Sequence, residues 1–253
     1  MIAGRSGDSF PDGPAFYDNP VVFTNYRETD VGPDRPKPAL ELPDVLDLIA
    51  PDAGPRVVDL GCGDAAIAPE LAARGCTAYL GLDGSQRMVE AARVTTAGMS
   101  GVEIRRQRIE EYRGVPGSAE LVLSRLALHY VEDIVDPLRQ GAIALLPGGR
   151  LVFSVEHPLV TASDPRATTD HPRGAWVVDR YFERGARESE WLGGRVRKYH
   201  RTIGDHVAAV ARAGLALEAL REGDPRRDRF TGTAEYERRR RIPLFLIIAA
   251  RRP

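Results

Sequence analysis

Two glycines, Gly61 and Gly63, follow a short β-branched run at 56–60 and precede a stretch with helical spacing. A strand that ends in such a turn and enters a helix leaves backbone N–H groups bare. The missing side chains let a ligand touch the main chain. Asp83, twenty residues after Gly63, closes a second apolar run, where a carboxylate can accept two hydrogen bonds from a ribose diol. Asp59 stands two residues before the first glycine, and Asp64 follows the second. Gly61-Cys62-Gly63-Asp64-Ala65-Ala66 also fits the glycine signature of dinucleotide-binding enzymes. The carboxylates separate the two chemistries. They would repel a pyrophosphate, whereas a phosphate-free nucleoside carrying positive charge tolerates them.

These residues need a scaffold, and the hydrophobic pattern describes one. Short apolar runs at 56–60, 77–82, 102–107, 120–124 and 150–155 alternate with helical spacing at 64–74, 85–97 and 132–145. That rhythm signals a parallel sheet covered on both faces, a doubly wound α/β fold. After strand five it breaks. Residues 157–202 carry Trp, Tyr, His and Arg with weak periodicity and read as a cap insertion. A helix over 203–213 capped by Thr202, a sixth strand over 215–220 and a buried strand over 244–249 complete a count of seven. The run Arg238-Arg239-Arg240-Arg241, flanked by Glu235 and Glu237, reads as a solvated loop before the last strand. Residues 1–38, rich in Gly, Pro, Asp and Asn, read as an N-terminal arm or lid with one short helix near 21–28. The main domain is then 39–253, opening with a helix over 39–50.

Composition narrows the partners. The chain has 253 residues, 43% hydrophobic and 28% charged, with a formal net charge of −1. Charge this close to zero gives no bulk attraction to nucleic acid or an anionic membrane. No apolar run approaches the roughly 20 residues of a membrane helix. The residues after Met1 form no apolar signal stretch, so the cytoplasm is expected. Cys62 and Cys76 flank a predicted helix of about 11 residues, which at ~1.5 Å per residue spans ~16 Å, too far for a disulfide. Five scattered histidines without a nearby cysteine offer no metal-ligand spacing, and His171 and His206 read as surface residues.

Asp59-Leu60-Gly61-Cys62-Gly63 resembles the first motif of class I S-adenosylmethionine-dependent methyltransferases. Asp83-Gly84-Ser85, with Met88, resembles their second-strand motif. Leu146-Pro147-Gly148-Gly149-Arg150-Leu151 resembles the turn into their fifth strand, and Ser124-Arg125-Leu126-Ala127-Leu128-His129-Tyr130 the segment after their fourth. Val155-Glu156-His157-Pro158, Val178-Asp179-Arg180-Tyr181-Phe182 and Lys198-Tyr199-His200-Arg201-Thr202 are similar to a bacterial subfamily of small-molecule methyltransferases. The resemblance implies a seven-stranded, mostly parallel sheet of order 3-2-1-4-5-7-6 with strand 7 antiparallel. It implies S-adenosylmethionine held by Asp59, Gly61, Cys62, Gly63, Asp83, Gly84, Ser85, Met88, Arg108, Ile109, Glu110, Ser124 and Leu126. Arg108 occupies the place where the family commonly has an acid for the adenine amino group, so Ile109 or Glu110 inherits that contact. Ala65 replaces a common third glycine and is small enough to keep the turn. The family's arm often folds over the donor, which makes Tyr26 and Arg27 candidate contacts, the guanidinium pairing with the donor's carboxylate.

Ligands in open α/β sheets bind outside the carboxyl ends of the strands. His129, after strand four, and Glu156 and His157, after strand five, are therefore candidate catalytic residues. Tyr17, Trp176, Tyr181, Tyr199 and His200 are candidate acceptor contacts, with Phe182 and Trp191 as further aromatics; each also reads as plain packing of the cap. The expected reaction is in-line transfer of a methyl group to an O or N atom of a small molecule, helped by alignment and a dry site. An NAD-type oxidoreductase and a non-catalytic S-adenosylmethionine-binding protein are the alternatives. RNA methylation is disfavoured, because Ser124-Arg125-Leu126-Ala127 replaces the Asn-Pro-Pro-Tyr type of tetrapeptide. The expected partner is a small-molecule acceptor, without metal, nucleic acid or membrane, for a monomer or homodimer.

Overall fold

Val57 and Val58 point to opposite faces of their strand, as alternate strand residues must, and both are buried. Val57 packs with Val45, Leu71, Leu121 and Val152 on one face of the sheet. Val58 packs with Leu138, Val122, Leu151 and Val210 on the other. A strand buried on both faces belongs in the middle of a parallel sheet. The computed structural model describes residues 10–29, 35–49, 54–163 and 176–253. The first nine residues of the expected arm, its stretch 30–34, and 164–175 of the cap with His171 lie outside the described residues.

Strands β1 (Arg56–Leu60), β2 (Ala78–Asp83), β3 (Val102–Arg106), β4 (Ala119–Arg125) and β5 (Leu145–Glu156) are parallel. β8 (Ala216–Arg221) and β9 (Phe245–Arg251) complete the sheet, with β9 antiparallel to both neighbours. The order is β3-β2-β1-β4-β5-β9-β8, which is 3-2-1-4-5-7-6 when only this sheet's strands are numbered. Helices α4 (Ala68–Ala73), α5 (Gln86–Thr95) and α6 (Val135–Ala144) join the parallel strands. A π-helical turn, Lys37–Glu41, runs into α3 (Leu42–Ile49). The cap comprises α7 (Pro158–Thr161) and a hairpin of β6 (Gly185–Trp191) with β7 (Gly194–His200), which form their own two-stranded sheet. Then come α8 (Ile203–Arg212) and α9 (Thr233–Arg239).

Several expectations are corrected. The helix predicted over 64–74 begins only at Ala68, because Gly61, Gly63 and Ala65 all take left-handed φ values (76°, 57° and 53°) and prolong the turn. Only half of the arginine run is a loop: Arg238 and Arg239 close α9, paired with Glu235 at 3.2 and 2.6 Å, spacings that favour a helix, while Arg240 and Arg241 form the turn that follows. His206 is not on the surface. It shares the inner face of α8 with Ala209, Val210 and Ala213 at helical spacing, and its ring lies 6.2 Å from that of Phe153.

The arm contains α1 (Gly13–Tyr17) as well as the expected helix, α2 (Pro20–Thr29). It is sewn to the hairpin. Phe16 and Val22 bury against Val196, the Asn25 amide donates to the Leu192 carbonyl at 3.0 Å, and Arg195 stacks 3.8 Å from the Phe10 ring centroid. Asp18 accepts from Ser85 Oγ at 2.7 Å, tying the arm to the start of α5. Two distant segments thus form one cover over the strand ends.

Thr202 opens α8 with a reciprocal capping box: its hydroxyl accepts from the Asp205 amide at 3.1 Å, and Asp205 accepts from the Thr202 amide at 2.9 Å. Thr202→Ala should lower stability by about 1 kcal/mol, read as a shift in urea midpoint at constant slope.

Candidate active site

The site grows from the end of β1. The amides of Gly61 and Cys62 both donate to the Leu82 carbonyl, at 2.8 and 2.9 Å, and Ser124 Oγ donates to the Leu60 carbonyl at 2.8 Å. Asp83 then fastens the turn from β2. One of its oxygens accepts from the Gly63 amide at 2.9 Å and the other from the Ser85 amide at 2.8 Å. Each carboxylate oxygen keeps a lone pair for a ligand. Burial pushes Asp83 up to about 6, although those two amides favour its charged form. A side chain at Gly61 would strike the Ala127 methyl at 2.4 Å, whereas a Cβ at Gly63 would meet only Tyr26 Oη, at 3.8 Å. Gly63 therefore presents bare backbone to open space.

That space is a cleft of about 300 Å³. Gly61, Gly63, Asp83, Gly84, Met88, Ile109, Glu110 and Leu126 line it, with Tyr17 and Tyr26 from the arm and His129 and Glu156 from the strand ends. Asp59 lies beneath the turn, fully buried. Its Oδ2 accepts from Tyr79 Oη at 2.7 Å, and its Oδ1 has no partner among the described residues. Burial raises Asp59 to about 6, with Tyr79 and the charge of Arg125 acting against the rise. The Cys62 thiol, half-buried behind the turn, is raised well above its ordinary range by burial and by Asp59 and Asp83, which leaves it unreactive.

Other candidates are occupied elsewhere. Ser85 caps α5, accepting from the Met88 amide at 3.2 Å. Arg108 pairs with Asp12 at 2.7 Å, Ser124 is spent on Leu60, and Arg27 is exposed on α2. His157 accepts from the Leu159 amide at 3.1 Å and holds Glu222 at 2.9 Å, so it caps α7 and stands outside the cleft wall. His200 bonds Thr161 Oγ1 at 2.6 Å and the Tyr181 carbonyl at 2.8 Å. Tyr199 reaches Glu132 at 3.4 Å, and Trp176 is 44% exposed. These cap residues, with Tyr181, are not among those lining the cleft.

The end of the cleft away from the glycine turn contains residues that spacing missed. Tyr130 shares a 3.1 Å hydroxyl bond with Tyr17, and burial pushes the Tyr17 hydroxyl up to about 12. Lys198, 7% exposed, reaches in from β7 to Glu156 at 2.6 Å. Burial opposes charge on Glu156, but Lys198 outweighs it and holds the carboxyl below its ordinary range. Arg125 pairs with fully buried Glu41, with Nε 3.0 Å from Oε1, and lines the floor. The usable signal for Lys198 was the alternation of Val196, Lys198 and His200 on the buried face of a strand. Arg239 of α9 also lines the cleft.

A parallel sheet with a bare glycine turn and a carboxylate at the end of its second strand defines a nucleoside-binding α/β protein. Comparison with known proteins specifies which. A family described as "Methyltransferase domain" matches residues 58–153. The crystal structure of an S-adenosylmethionine-dependent methyltransferase from Mesorhizobium loti is 34% identical, covers 84% of this chain and 97% of its own, and superposes with a TM-score of 0.72. An uncharacterised protein of Haemophilus influenzae is 27% identical over 81% of this chain and 85% of its own. A ubiquinone biosynthesis O-methyltransferase of Neisseria meningitidis is 30% identical over 44% of this chain and 48% of its own. The chain belongs to the S-adenosylmethionine-dependent methyltransferases. It is an enzyme, and S-adenosylmethionine is its cofactor. The residues present fit that cofactor: Gly63 leaves room against the main chain, Asp83 has lone pairs to offer, and the acidic groups beneath suit a positively charged nucleoside.

The folded chain holds the Asp59 proton more tightly than the unfolded chain does. The resulting destabilisation is absent at low pH, grows as pH rises from the ordinary value of 3.8 toward about 6, and is complete above that. Asp59→Asn should raise the unfolding free energy at neutral pH by about 1–3 kcal/mol, with the gain vanishing below pH ~4. Urea titrations at both pH values check this.

Proposed function

We propose that this enzyme moves the methyl group to an O or N atom of a small molecule by in-line displacement. One observation carries the reading. The cleft beside the glycine turn is closed over by the arm and the cap hairpin, and its far wall is formed by Tyr17, Tyr130, Trp191 and His129. A covered cleft of about 300 Å³, shared between cofactor and acceptor and walled by these rings at one end, suits a small acceptor. The partial similarity to a ubiquinone biosynthesis O-methyltransferase supports oxygen as the receiving atom.

S-adenosylmethionine, when bound, supplies a methyl group already activated on a sulfonium. The chain then has to hold, align and keep dry. In this reading Asp83 takes the ribose hydroxyls, and Gly61 and Gly63 give close approach to the main chain. Met88 and Ile109 with Glu110 bound the adenine end, and Tyr26 closes the turn from the arm. Asp59 acts through its charge from beneath, stabilising the positive nucleoside without touching it. Tyr17, Tyr130 and Trp191 contact the acceptor.

The reading includes a cytoplasmic monomer or homodimer without nucleic-acid or membrane partners. Among the described residues no helix is long and apolar enough to cross a membrane, and no group of His, Cys, Asp or Glu is arranged to hold a metal.

Asp83→Ala should weaken S-adenosylmethionine binding by about 1.5–3 kcal/mol, the scale of charge-assisted hydrogen bonds, measured by calorimetry with NAD as the control ligand. Unchanged affinity, or micromolar binding of NAD in place of the methyl donor, would overturn the assignment. Transfer of labelled methyl to panels of small phenols, amines and carboxylic acids tests the acceptor class.

A further inference from the structure

The amide of Glu156 lies where the sheet runs out. β4 ends at Arg125, paired with Ser154, so β5 continues past it without a strand neighbour on that side. The ring of His129, in the turn Leu128–Tyr130, takes the strand's place, and its Nδ1 accepts from the Glu156 amide at 3.3 Å. Among the described residues this is the only hydrogen bond the His129 ring makes. A nitrogen that accepts from an amide must carry its lone pair, so the neutral ring has its proton on Nε2. A second proton, at Nδ1, would face the amide hydrogen head-on.

We propose, building on the methyltransferase reading above, that His129 is a fixed Nε2–H donor to the methyl acceptor rather than its base, and that the cleft selects acceptors whose oxygen is ionised before binding, a phenolate or a carboxylate. Among the described residues at this end of the cleft, the oxygens that could receive a proton are already engaged. Glu156 is tied to Lys198 at 2.6 Å, and the Tyr17 and Tyr130 hydroxyls are bonded to each other at 3.1 Å. The charges facing the ring come from several elements: Glu156 of β5, the largest single effect among them, opposed by Lys198 of β7, Arg201 beyond it and Lys37 before α3. The Arg201 guanidinium is bonded to the carbonyls of Val131 and Glu132, at 2.7 and 2.5 Å, and so keeps its net charge. His206 of α8 is the other imidazole close enough to matter. Burial and these cations push His129 down to about 4, so the donor form persists across the working pH range. A fixed N–H donor with no base beside it favours an oxygen that already carries the negative charge. In transfer, a lone pair of the oxyanion forms the O–CH₃ bond as the C–S bond breaks, the bonding pair returns to sulfur, and no proton is released.

Two measurements test this. In protein labelled with ¹⁵N-histidine, long-range ¹H–¹⁵N spectra should show the His129 signals, identified by their loss in His129→Gln, as a protonated Nε2 and a bare Nδ1. The pattern should stay unchanged from about pH 8 to about pH 5.5. A protonated Nδ1, or titration with a midpoint above pH ~6, overturns the proposal. The second uses 4-nitrophenol, whose phenolate is yellow, with 4-nitrobenzyl alcohol as the neutral control. The wild-type protein should bind the phenolate at least ~10-fold more tightly than the phenol or the alcohol, a shift of about one pKa unit in the bound probe. His129→Gln, which keeps a donor, should retain much of that preference, and His129→Leu should lose it. Equal binding of the alcohol, or a preference surviving in His129→Leu, overturns the proposal. Calorimetry on the same samples separates the readings. Absent S-adenosylmethionine binding would defeat the methyltransferase reading, while intact donor binding with the wrong tautomer or preference would defeat this inference alone.

Discussion

The cleft depends on a backbone handedness that side chains resist. Gly61 and Gly63 both sit at positive φ, and their turn is pulled tight by the Leu82 carbonyl and clamped by Asp83. The clamp works because β1 and β2 are parallel and in register, with Leu60 opposite Leu82, so the end of one strand delivers a carboxylate to the loop of the other. A side chain at Gly61 would displace Ala127 and widen the gap between β1 and β4. Ala65 extends the same handedness by one residue, and the helix that follows starts late as a consequence.

A second constraint closes the site. The arm and the hairpin come from opposite parts of the chain, and their small shared core of Phe16, Val22 and Val196 makes them one cover. The cover is anchored to the sheet by the buried pair of Glu156 and Lys198. Such a pair offsets a large desolvation cost only when its geometry is good, and removing one partner strands the other charge. The pair therefore contributes more to placing the hairpin than to net stability.

The same burial divides the cleft by charge. Asp59 and Asp83 lie at the glycine-turn end, while Lys198, Arg201 and Lys37 gather with Glu156 around His129 at the other. In the proposed reaction the positively charged donor would meet the carboxylates and the anionic acceptor the His129 N–H, with no proton exchanged with solvent.

The succession of strands and helices along the chain, the glycine turn, Asp83 and the cap on α8 were legible in the sequence because each depends on neighbours within a few residues or on a regular period, whereas the lateral order of the strands came only from the family resemblance. Apolar alternation reports burial on a face, glycine reports φ, and Thr202 with Asp205 reports a helix start. His206 was misread because a histidine is polar in composition but its helical position, in step with Ala209 and Ala213, decides its burial. The cap was least legible. His157, Tyr181, Tyr199 and His200 look chemical by type, yet they are spent on Glu222, Ile203, Glu132 and Thr161, whereas Lys198, unremarked in sequence, reaches the cleft wall. The sequence by itself therefore determined the run of strands and helices and the glycine turn with its carboxylate, which short-range geometry dictates. Only the tertiary structure decided which polar side chains line the far end of the cleft, because that depends on pairings between residues tens of positions apart, made once the arm and hairpin close over the sheet.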